Sequence, residues 1–250
     1  MSTTAIRPPP ATAVPMTSLR KTALVAGAFY LLSFVSIPTL SLYAPIRDAS
    51  YIVGPNPGTG VIWGGVLEMI VALAGIGTAV ALYPVVKKQN QSLALGFVGT
   101  RVLEAATIIS GVVIVMTIVS LGQAGAGPDA VVTGNALIAM HNWTFLLGQG
   151  FIPAVNALLL GSLLYQSRLV PRILPLVGFI GAPLLVTSVI ATLFGFWTQV
   201  STRSALLTIP IALWEFSLGV YLIVKGFKPS PITAAMAPLS TPTDRQVVPV

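Results

Sequence analysis

The sequence contains no cysteine, a single histidine, and charged residues at only 8% of its positions. Without cysteine it cannot form disulfides, thiolate metal sites or a cysteine nucleophile, and the redox compartment is left undetermined. Soluble domains carry about 25% charged residues, so the low charge excludes an ordinary soluble domain. A phosphate-binding loop, a nucleophile elbow and a dinucleotide-binding fingerprint are also missing, and we therefore expect no cofactor.

Apolar residues make up 55% of the chain, and its mean hydropathy is +0.90. About 20 apolar residues suffice to cross the hydrocarbon core of a bilayer as a helix. Six runs reach that length, and they predict an all-α integral membrane six-helix bundle over residues 21–228. The predicted helices cover residues 22–44, 60–83, 94–121, about 140–165, about 172–196 and about 204–226.

The two ends of the chain have a different composition. Residues 1–20 and 229–250 are rich in proline, serine and threonine and lack apolar periodicity, which predicts disordered tails. The first apolar run follows Arg20 and Lys21, as a signal peptide would. It is longer than the apolar core of about 7–15 residues in a signal peptide, so we expect a retained first helix.

Prolines interrupt four of the predicted helices, at Pro38, Pro153, Pro183 and Pro210. A proline removes one backbone N–H and crowds the preceding turn of a helix. Membrane helices tolerate it where neighbouring helices satisfy the freed carbonyl groups. We therefore expect kinks at these four positions.

The basic residues predict the orientation in the membrane. If the amino terminus is inside, ten Lys and Arg residues fall on inner segments and two fall on outer segments, Arg47 and Arg203. The inner ones are Arg7, Arg20, Lys21, Lys87, Lys88, Arg168, Arg172, Lys225, Lys228 and Arg245. This asymmetry places both termini in the cytoplasm. The net charge of +7 does not indicate nucleic acid binding, because the basic residues lie at the ends of apolar runs and form no patch.

Three stretches resemble one known family. They are residues 101–105 (RVLEA), residues 169–174 (LVPRIL) and residues 215–226 (EFSLGVYLIVKG). Together they resemble a bacterial multipass membrane family known as domain of unknown function 4386, over roughly residues 20–228. The resemblance implies a helical protein of the bacterial inner membrane. It supplies no reaction, substrate or catalytic residue, so the chemistry has to come from the residues themselves.

Four ionisable residues lie inside the apolar runs: Glu68, Arg101, Glu104 and Glu215. A charged side chain near the centre of a bilayer costs about 2.5–3.5 kcal/mol on insertion scales. Such residues face protein or water and are default candidates for function. Each glutamate also falls on a row of small or polar residues that recurs every three or four positions, so we expect all three to face a shared polar interior.

The predicted fourth helix carries a further polar row. Asn142, Gln149 and Asn156 are spaced by seven residues and therefore share one face of a regular helix. Together with the glutamates they predict a polar groove between the second, third, fourth and sixth helices. Because the four ionisable residues differ in distance from the helix ends, we expect a staircase of polar groups and no single compact site.

Three glutamates against one arginine leave two excess negative charges if all of them ionise. A dry interior does not hold such an excess, so some glutamates are protonated, a cation binds, or water enters. The structural alternative is that Arg101 extends to the cytoplasmic interface and pairs with Glu104. In that case Glu68 and Glu215 simply hydrogen-bond other helices.

His141 falls at the outer start of the predicted fourth helix, where an interfacial histidine is the ordinary interpretation. As a metal ligand it would need carboxylate partners, and one histidine makes a weak site, so we expect no metal. The expected partner is the lipid bilayer, and the small-residue helix faces also suit a homo-oligomer.

Three function classes remain open. Small-solute or proton-linked transport leads, because it uses buried glutamates in a polar groove. A membrane scaffold or accessory subunit with structural ion pairs is the alternative. An intramembrane enzyme has the least support. No histidine lies deep enough to activate Ser110, Ser188 or Ser217, which leaves only a carboxylate-based enzyme in this class.

Overall fold

The fold is described by a computed structural model, which covers residues 17–48, 50–53 and 58–236. Ten α-helices are found in this part of the chain, and it contains no strand. They are α1 (Ser18–Leu32), α2 (Thr39–Leu42), α3 (Ser50–Val53), α4 (Thr59–Val86), α5 (Gln91–Gln123), α6 (Ala130–Phe145), α7 (Ile152–Ser167), α8 (Ile173–Leu193), α9 (Thr202–Val224) and α10 (Pro231–Ala234).

Six helical stretches of the described chain are long and apolar enough to cross a membrane, which confirms the predicted fold class. They comprise Ser18–Leu42, the four helices α4, α5, α8 and α9, and Ala130–Ser167. Neighbours along the chain pack side by side, and α9 returns to pack against α1. The six spans therefore form a closed ring around a common centre.

The chain reverses direction at each connection, so the ring has two ends. At one end the guanidinium of Arg20 donates from Nη1 to the carbonyl of Leu222 at 3.1 Å, across to the carboxyl end of α9. At the other end the segment that contains Arg47 crosses between the first span and α4. We call these the Arg20 end and the Arg47 end.

The first span breaks near its middle, in agreement with the kink predicted at Pro38. Helix α1 ends at Leu32, a 3-10 segment covers Ser33–Ser36, and α2 begins after Pro38. The hydroxyl of Ser33 donates to the carbonyl of Tyr30 at 2.7 Å. Side-chain bonds of this kind satisfy carbonyl groups that the broken helix leaves free.

The fourth span begins at Ala130, ten residues before its predicted start. Thr133, Gly134 and Asn135 interrupt its apolar run, so hydropathy alone does not identify its first turns. A Cβ added at Gly134 would lie 1.8 Å from Cδ1 of Ile52, so glycine is what lets Ile52 pack against this helix.

The same span changes its helical pitch near Pro153. Leu146–Phe151 is π-helical and separates α6 from α7, and Pro153 lies in the first turn of α7. Proline has no N–H for the ladder, so a wider turn before it leaves fewer strained bonds. Pro183 and Pro210 also lie inside predicted helices, but α8 and α9 continue through them without interruption.

Most of the buried apolar side chains lie toward the Arg20 end. The largest cluster there, which we call the apolar core, draws residues from α1, α4, α5, α7, α8 and α9, among them Leu82, Phe97, Leu164, Leu218 and Leu222. A smaller cluster around Tyr43, Val61 and Ile118 lies at the Arg47 end.

Parts of both predicted tails are helical. Helix α1 begins at Ser18, and α10 lies within the segment that we expected to be disordered. A reciprocal cap between Ser230 and Thr233 starts α10, and Met236 packs against the apolar core. The rest of the predicted tails, residues 1–16 and 237–250, lies outside the described residues.

Candidate functional site

Three of the four buried ionisable residues meet in one cluster. Arg101 and Glu104 lie one turn apart on α5, and their Nη1 and Oε2 atoms are 3.0 Å apart. The other terminal nitrogen of Arg101, Nη2, lies 2.6 Å from Oε1 of Glu215 on α9. Arg101 is 5% exposed and Glu104 is 8% exposed. We call these three residues the charged triad.

Polar and aromatic neighbours hold the charged triad in place. Asn156 on α7 donates from Nδ2 to Oε2 of Glu104 at 2.7 Å, and the hydroxyl of Thr100 donates to the Asn156 side-chain oxygen. The Arg101 guanidinium lies 5.5 Å from the ring centre of Tyr30 and 5.7 Å from that of Phe97. Cation–π contacts of this kind strengthen when the cation is removed from water.

This geometry corrects two expectations. Arg101 does not extend to an interface, because both of its terminal nitrogens are bound inside the bundle. The staircase is also wrong for three of its four members, which touch one another. The sequence analysis placed Glu215 and Arg101 at different depths by counting residues along each helix. Such counting cannot show that the two long side chains reach each other between α5 and α9.

A cavity of about 240 Å³ adjoins the charged triad. All three triad residues line it, together with Gln149 from the π-helical segment and Ser33 and Ser36 from the broken first span. Every span of the ring contributes to the wall. The predicted groove between four helices is therefore a central cavity with a largely apolar wall and a charged floor.

Several polar atoms of the charged triad have no protein partner among the described residues. The Nε–H of Arg101 is buried without an acceptor. The hydrogen bonds of Glu104 fall on Oε2 and that of Glu215 falls on Oε1, which leaves one oxygen of each carboxylate free. These two side chains keep 11% and 17% of their surface accessible, and both line the cavity. The cavity is therefore in contact with carboxylate groups that can accept further hydrogen bonds.

Glu68 forms a second, separate polar site on α4, where it is 3% exposed. The Tyr43 hydroxyl donates to its Oε2 and the Gln149 side chain donates from Nε2 to its Oε1, both at 3.2 Å. A Cβ at Gly64 would lie 2.5 Å from the Tyr43 ring, so glycine there lets the ring cross α4 and reach Glu68. Burial and the nearby carboxylate raise the pKa of Tyr43, which keeps its hydroxyl protonated and able to donate.

Glu68 has no cationic partner within ion-pair distance among the residues that the structure describes. His141 lines the same small cavity as Glu68, stacks on Phe145 with ring centres 6.4 Å apart and meets Tyr43 edge-on. His141 is buried about three turns into the fourth span and does not lie at the start of that span, where it was predicted. The error follows from the late predicted start of that span. In the described part of the chain, no group of three or more His, Cys, Asp or Glu residues could hold a metal ion.

Shared lining residues link the cavities into a row from the Arg47 end to the charged triad. A cavity of about 600 Å³ at the Arg47 end shares Arg47 and Asn142 with a small cavity of about 20 Å³ beside Glu68. A still smaller gap beside Glu68 then shares Gln149 with the central cavity. The row narrows beside Glu68, where the small cavity has room for about one water molecule and the gap that reaches Gln149 has room for none.

The predicted polar row of the fourth helix does not share one face. Gln149 and Asn156 point into the bundle and bind Glu68 and Glu104, whereas Asn142 is exposed and lines the cavity at the Arg47 end. The π-helical segment adds a residue to one turn, so the buried position two turns before Gln149 is His141, eight residues earlier, and not Asn142, seven residues earlier.

Sequence reasoning missed Tyr43 and Tyr30 as site residues. Neither tyrosine lies on one of the polar rows of the sequence. Gly64, one turn before Glu68, is the signal that a bulky partner crosses α4 at that point.

Among the comparisons with known proteins, one gives a match. No curated protein and no solved structure matches the chain. One family model matches residues 25–226, which include all six spans in whole or in large part, the charged triad and Glu68. That family is described as a domain of unknown function, DUF4386, and the chain belongs to it.

Proposed function

We propose that the protein is a transporter that moves a small solute across a membrane in a proton-linked cycle. The observation that carries the proposal is the position of the central cavity. It lies between all six spans and is lined by two carboxylates that each keep a free oxygen. Binding sites between the helices of a bundle commonly have this form, with apolar walls and a few polar groups.

The charge balance supports the link to protons. The described interior holds three carboxylates, Glu68, Glu104 and Glu215, against the single guanidinium of Arg101. Arg101 balances one of the two carboxylates in the charged triad, so the other needs a proton or a bound cation. Residues that exchange protons in this way are typical of pumps and transporters.

The row of cavities supports a proton route from the Arg47 end. Glu68 lies at the narrowest point of the row and shares Gln149 with the central cavity. Its oxygens are held by neutral donors, Tyr43 and Gln149, and neither donor fixes its protonation state as a cation would. We assign Glu68 the role of a relay between the Arg47 end and the charged triad.

We further propose that the membrane is the bacterial inner membrane and that both termini lie in the cytoplasm. The Lys and Arg asymmetry supports this orientation, because ten basic residues then face the cytoplasm. Reporter fusions at residues 89 and 130 test it: the first is expected inside and the second outside. The opposite result would invert the scheme.

The transport role is tested in liposomes that contain the purified protein and a trapped pH-sensitive dye. Pools of small solutes sorted by charge are added outside, and the dye reports proton movement. At least one pool is expected to change the internal pH, and Glu215→Gln is expected to abolish the change. Ser110→Ala is the matched control, because that hydroxyl is exposed on α5 and bonds only its own helix.

A membrane scaffold or accessory subunit is the second candidate. It is favoured by the bonds that join three spans through the charged triad and Asn156. Under that role no solute pool moves protons and none raises the thermal stability of the protein between pH 5 and 8. That pair of negative results would overturn the transport proposal and leave the scaffold role.

A further inference from the structure

The wall of the central cavity is incomplete on the side of the first span. Helix α1 packs against both α4 and α9, but the 3-10 segment Ser33–Ser36 and α2 pack mainly against α4. The tight contact lies nearer the Arg20 end, where a Cβ at Gly27 would be 2.7 Å from the Gly219 carbonyl oxygen. Beyond the break, the first span diverges from α9.

The divergence connects the cavity with the outer, lipid-facing surface of the ring. Ile37 lines the cavity and is 66% exposed. Phe34 also lines the cavity, and its ring meets that of Phe216 edge-on with centres 5.5 Å apart. The contact of Phe34 with Phe216 therefore bounds an apolar opening on its Arg20 side, and the opening at Ile37 joins the cavity beside the charged triad to the hydrocarbon region of the bilayer.

The opening and the charged floor of the cavity favour different chemical groups of a ligand. The wall near the opening carries Phe34 and Ile37. The hydroxyls of Ser33 and Ser36 beside them donate to carbonyls of their own span. The floor carries one negative charge in excess when both carboxylates of the charged triad ionise beside Arg101. A ligand that satisfies both has an apolar body and a single positive charge.

We propose that the cavity binds a small amphipathic organic cation, such as an alkylammonium ion, and that the cation competes with a proton for the charged triad. The ammonium group lies against the free oxygens of Glu104 and Glu215, and the alkyl chain lies toward Phe34 and Ile37. The inference rests on the proposed transport function and names its substrate class.

The competition follows from charge balance. With no ligand, a proton on Glu104 or Glu215 neutralises the excess charge. When the cation binds, that proton is released to water and the positive charge of the ligand replaces it. One cation is thus exchanged for one proton, and the charge of the occupied interior stays the same.

Other ionisable groups near the triad are few. Tyr30 on α1 contacts Arg101, and Glu68 on α4 lies across Gln149 with His141 of α6 beside it. Helices α7 and α8 contribute no charged residue to the described cavity wall. The exchanged proton is therefore assigned to the triad carboxylates, with Glu68 as the route by which it leaves.

The cavity has room for a small ligand beside the charged triad. Its volume of about 240 Å³ exceeds the about 150 Å³ of an apolar protein cavity that binds benzene. A short alkyl or aryl amine therefore fits with its charged group at the triad.

The test uses the full-length protein in detergent and three probes of matched shape: hexylammonium, hexan-1-ol and hexanoate. Titration calorimetry measures affinity between pH 5 and 8, where the amine stays protonated because alkylamines titrate near the lysine value of about 10.4. Hexylammonium is expected to bind best, and its affinity is expected to rise with pH by up to about tenfold per unit. Titrations in two buffers of different ionisation enthalpy are expected to show up to one proton released per cation.

Variants give an independent measurement. Glu215→Gln keeps the shape of the side chain and removes the excess charge, so hexylammonium is expected to bind at least roughly tenfold more weakly. Ser110→Ala, on the outer face of α5, is expected to bind like the original protein. If Glu215→Gln does not fold, the pH dependence of the unmodified protein still decides the question.

The competing outcomes are distinct. Equal binding of hexanol or hexanoate, or hexylammonium affinity that is constant with pH and releases no proton, would overturn the cation–proton exchange. The dye experiment in liposomes decides the transport function separately. Proton movement driven by an anion or neutral pool would keep transport and reject the cation, whereas no response to any pool would reject transport itself.

Discussion

The two ends of this bundle are built from the same residue types but in different ways. Toward the Arg20 end the spans are continuous helices and the apolar core fills the space between them, while a cavity of about 390 Å³ lies beyond the helix ends, between Arg20 and Lys225. Toward the Arg47 end the first span breaks at Pro38, the fourth span contains a π-helical segment, and cavities lie between them. The charged triad marks the boundary, with Arg101 resting on Tyr30 and Phe97 of the apolar core.

This difference between the two ends indicates that the Arg20 end provides stability and the Arg47 end provides space for a ligand. Membrane helices associate mainly through close packing, and the Arg20 end provides that packing. Helix interruptions and unfilled space reduce packing, and they are tolerated where they line a cavity. The bundle is therefore anchored at one end and free to accommodate a ligand at the other. The predictions below test that division.

The largest effect is expected at the boundary itself. Arg101→Met leaves Glu104 and Glu215 buried without their cation, and loss of one partner of a buried ion pair costs about 3–5 kcal/mol. The free energy of unfolding, measured by denaturant titration in mixed micelles, is expected to fall by that amount near neutral pH. The loss should shrink as the pH is lowered, because protonation neutralises the unpaired carboxylates.

The combined variant Arg101→Met, Glu104→Gln and Glu215→Gln is the control for that prediction. It removes the charges together and keeps the volume, so it should recover most of the lost stability. If Arg101→Met alone had the same free energy of unfolding as the original protein, the charged triad would contribute no net stability. The triad would then not be a structural boundary between the two ends.

The apolar core is expected to be nearly as sensitive. Leu164 is fully buried on α7, and Leu164→Ala should lower the free energy of unfolding by about 2–5 kcal/mol. Leu158→Ala, an exposed position on the same helix, is the matched control and should change it by about 0.5 kcal/mol or less. Equal losses at the two positions would contradict the view that packing at the Arg20 end carries the stability.

The comparison also separates what could be predicted from what could not. The six spans and their order follow from hydropathy, because each apolar run is long enough to cross a bilayer. The pairing of Arg101 with Glu104 follows from a spacing of three residues on one helix. Both depend only on residues that are close in sequence.

The remaining features depend on contacts between distant residues. Glu215 is 114 residues from Arg101, and no local pattern indicates which of the three glutamates the arginine reaches. The contact between Tyr43 and Glu68 requires the first span to bend over Gly64. Sequence analysis therefore identified most of the polar residues of the site but not their grouping into one cluster and one separate relay position.

A glycine pair tests the close packing of α1 against α9. A Cβ at Gly27 would press on the backbone oxygen of Gly219, which cannot rotate away, so Gly27→Ala should cost about 1–3 kcal/mol. Gly99 on α5 has no atom within 4 Å of its added Cβ, and Gly99→Ala should be neutral or stabilising by about 0.5–1 kcal/mol. Thermal unfolding of both variants measures the contrast, and a stabilising Gly27→Ala would show that the two helices do not depend on this approach.

The smallest effect is expected at the Arg47 end, where the π-helical segment sets the register of the fourth span. Gln149→Leu removes a donor to Glu68, and interhelical hydrogen bonds in membrane proteins contribute about 0.6 kcal/mol on average. Glu68 keeps its bond from Tyr43 and can take a proton, so the loss in unfolding free energy should stay within about 1.7 kcal/mol. Asn142→Leu changes an exposed position and should be close to neutral.

If the fourth span were a regular α-helix without the π-helical segment, Asn142 and Gln149 would share its buried face. Asn142→Leu would then destabilise the protein as Gln149→Leu does. The two variants therefore report on the extra residue in the wide turn and not only on a hydrogen bond. Proton movement in liposomes adds the functional readout: Gln149→Leu should slow it by weakening the link between Glu68 and the central cavity, and Asn142→Leu should slow it less, because Asn142 lines the wide part of the route at the Arg47 end. Slowing by both variants to the same extent would mean that the route from the Arg47 end does not narrow at Glu68.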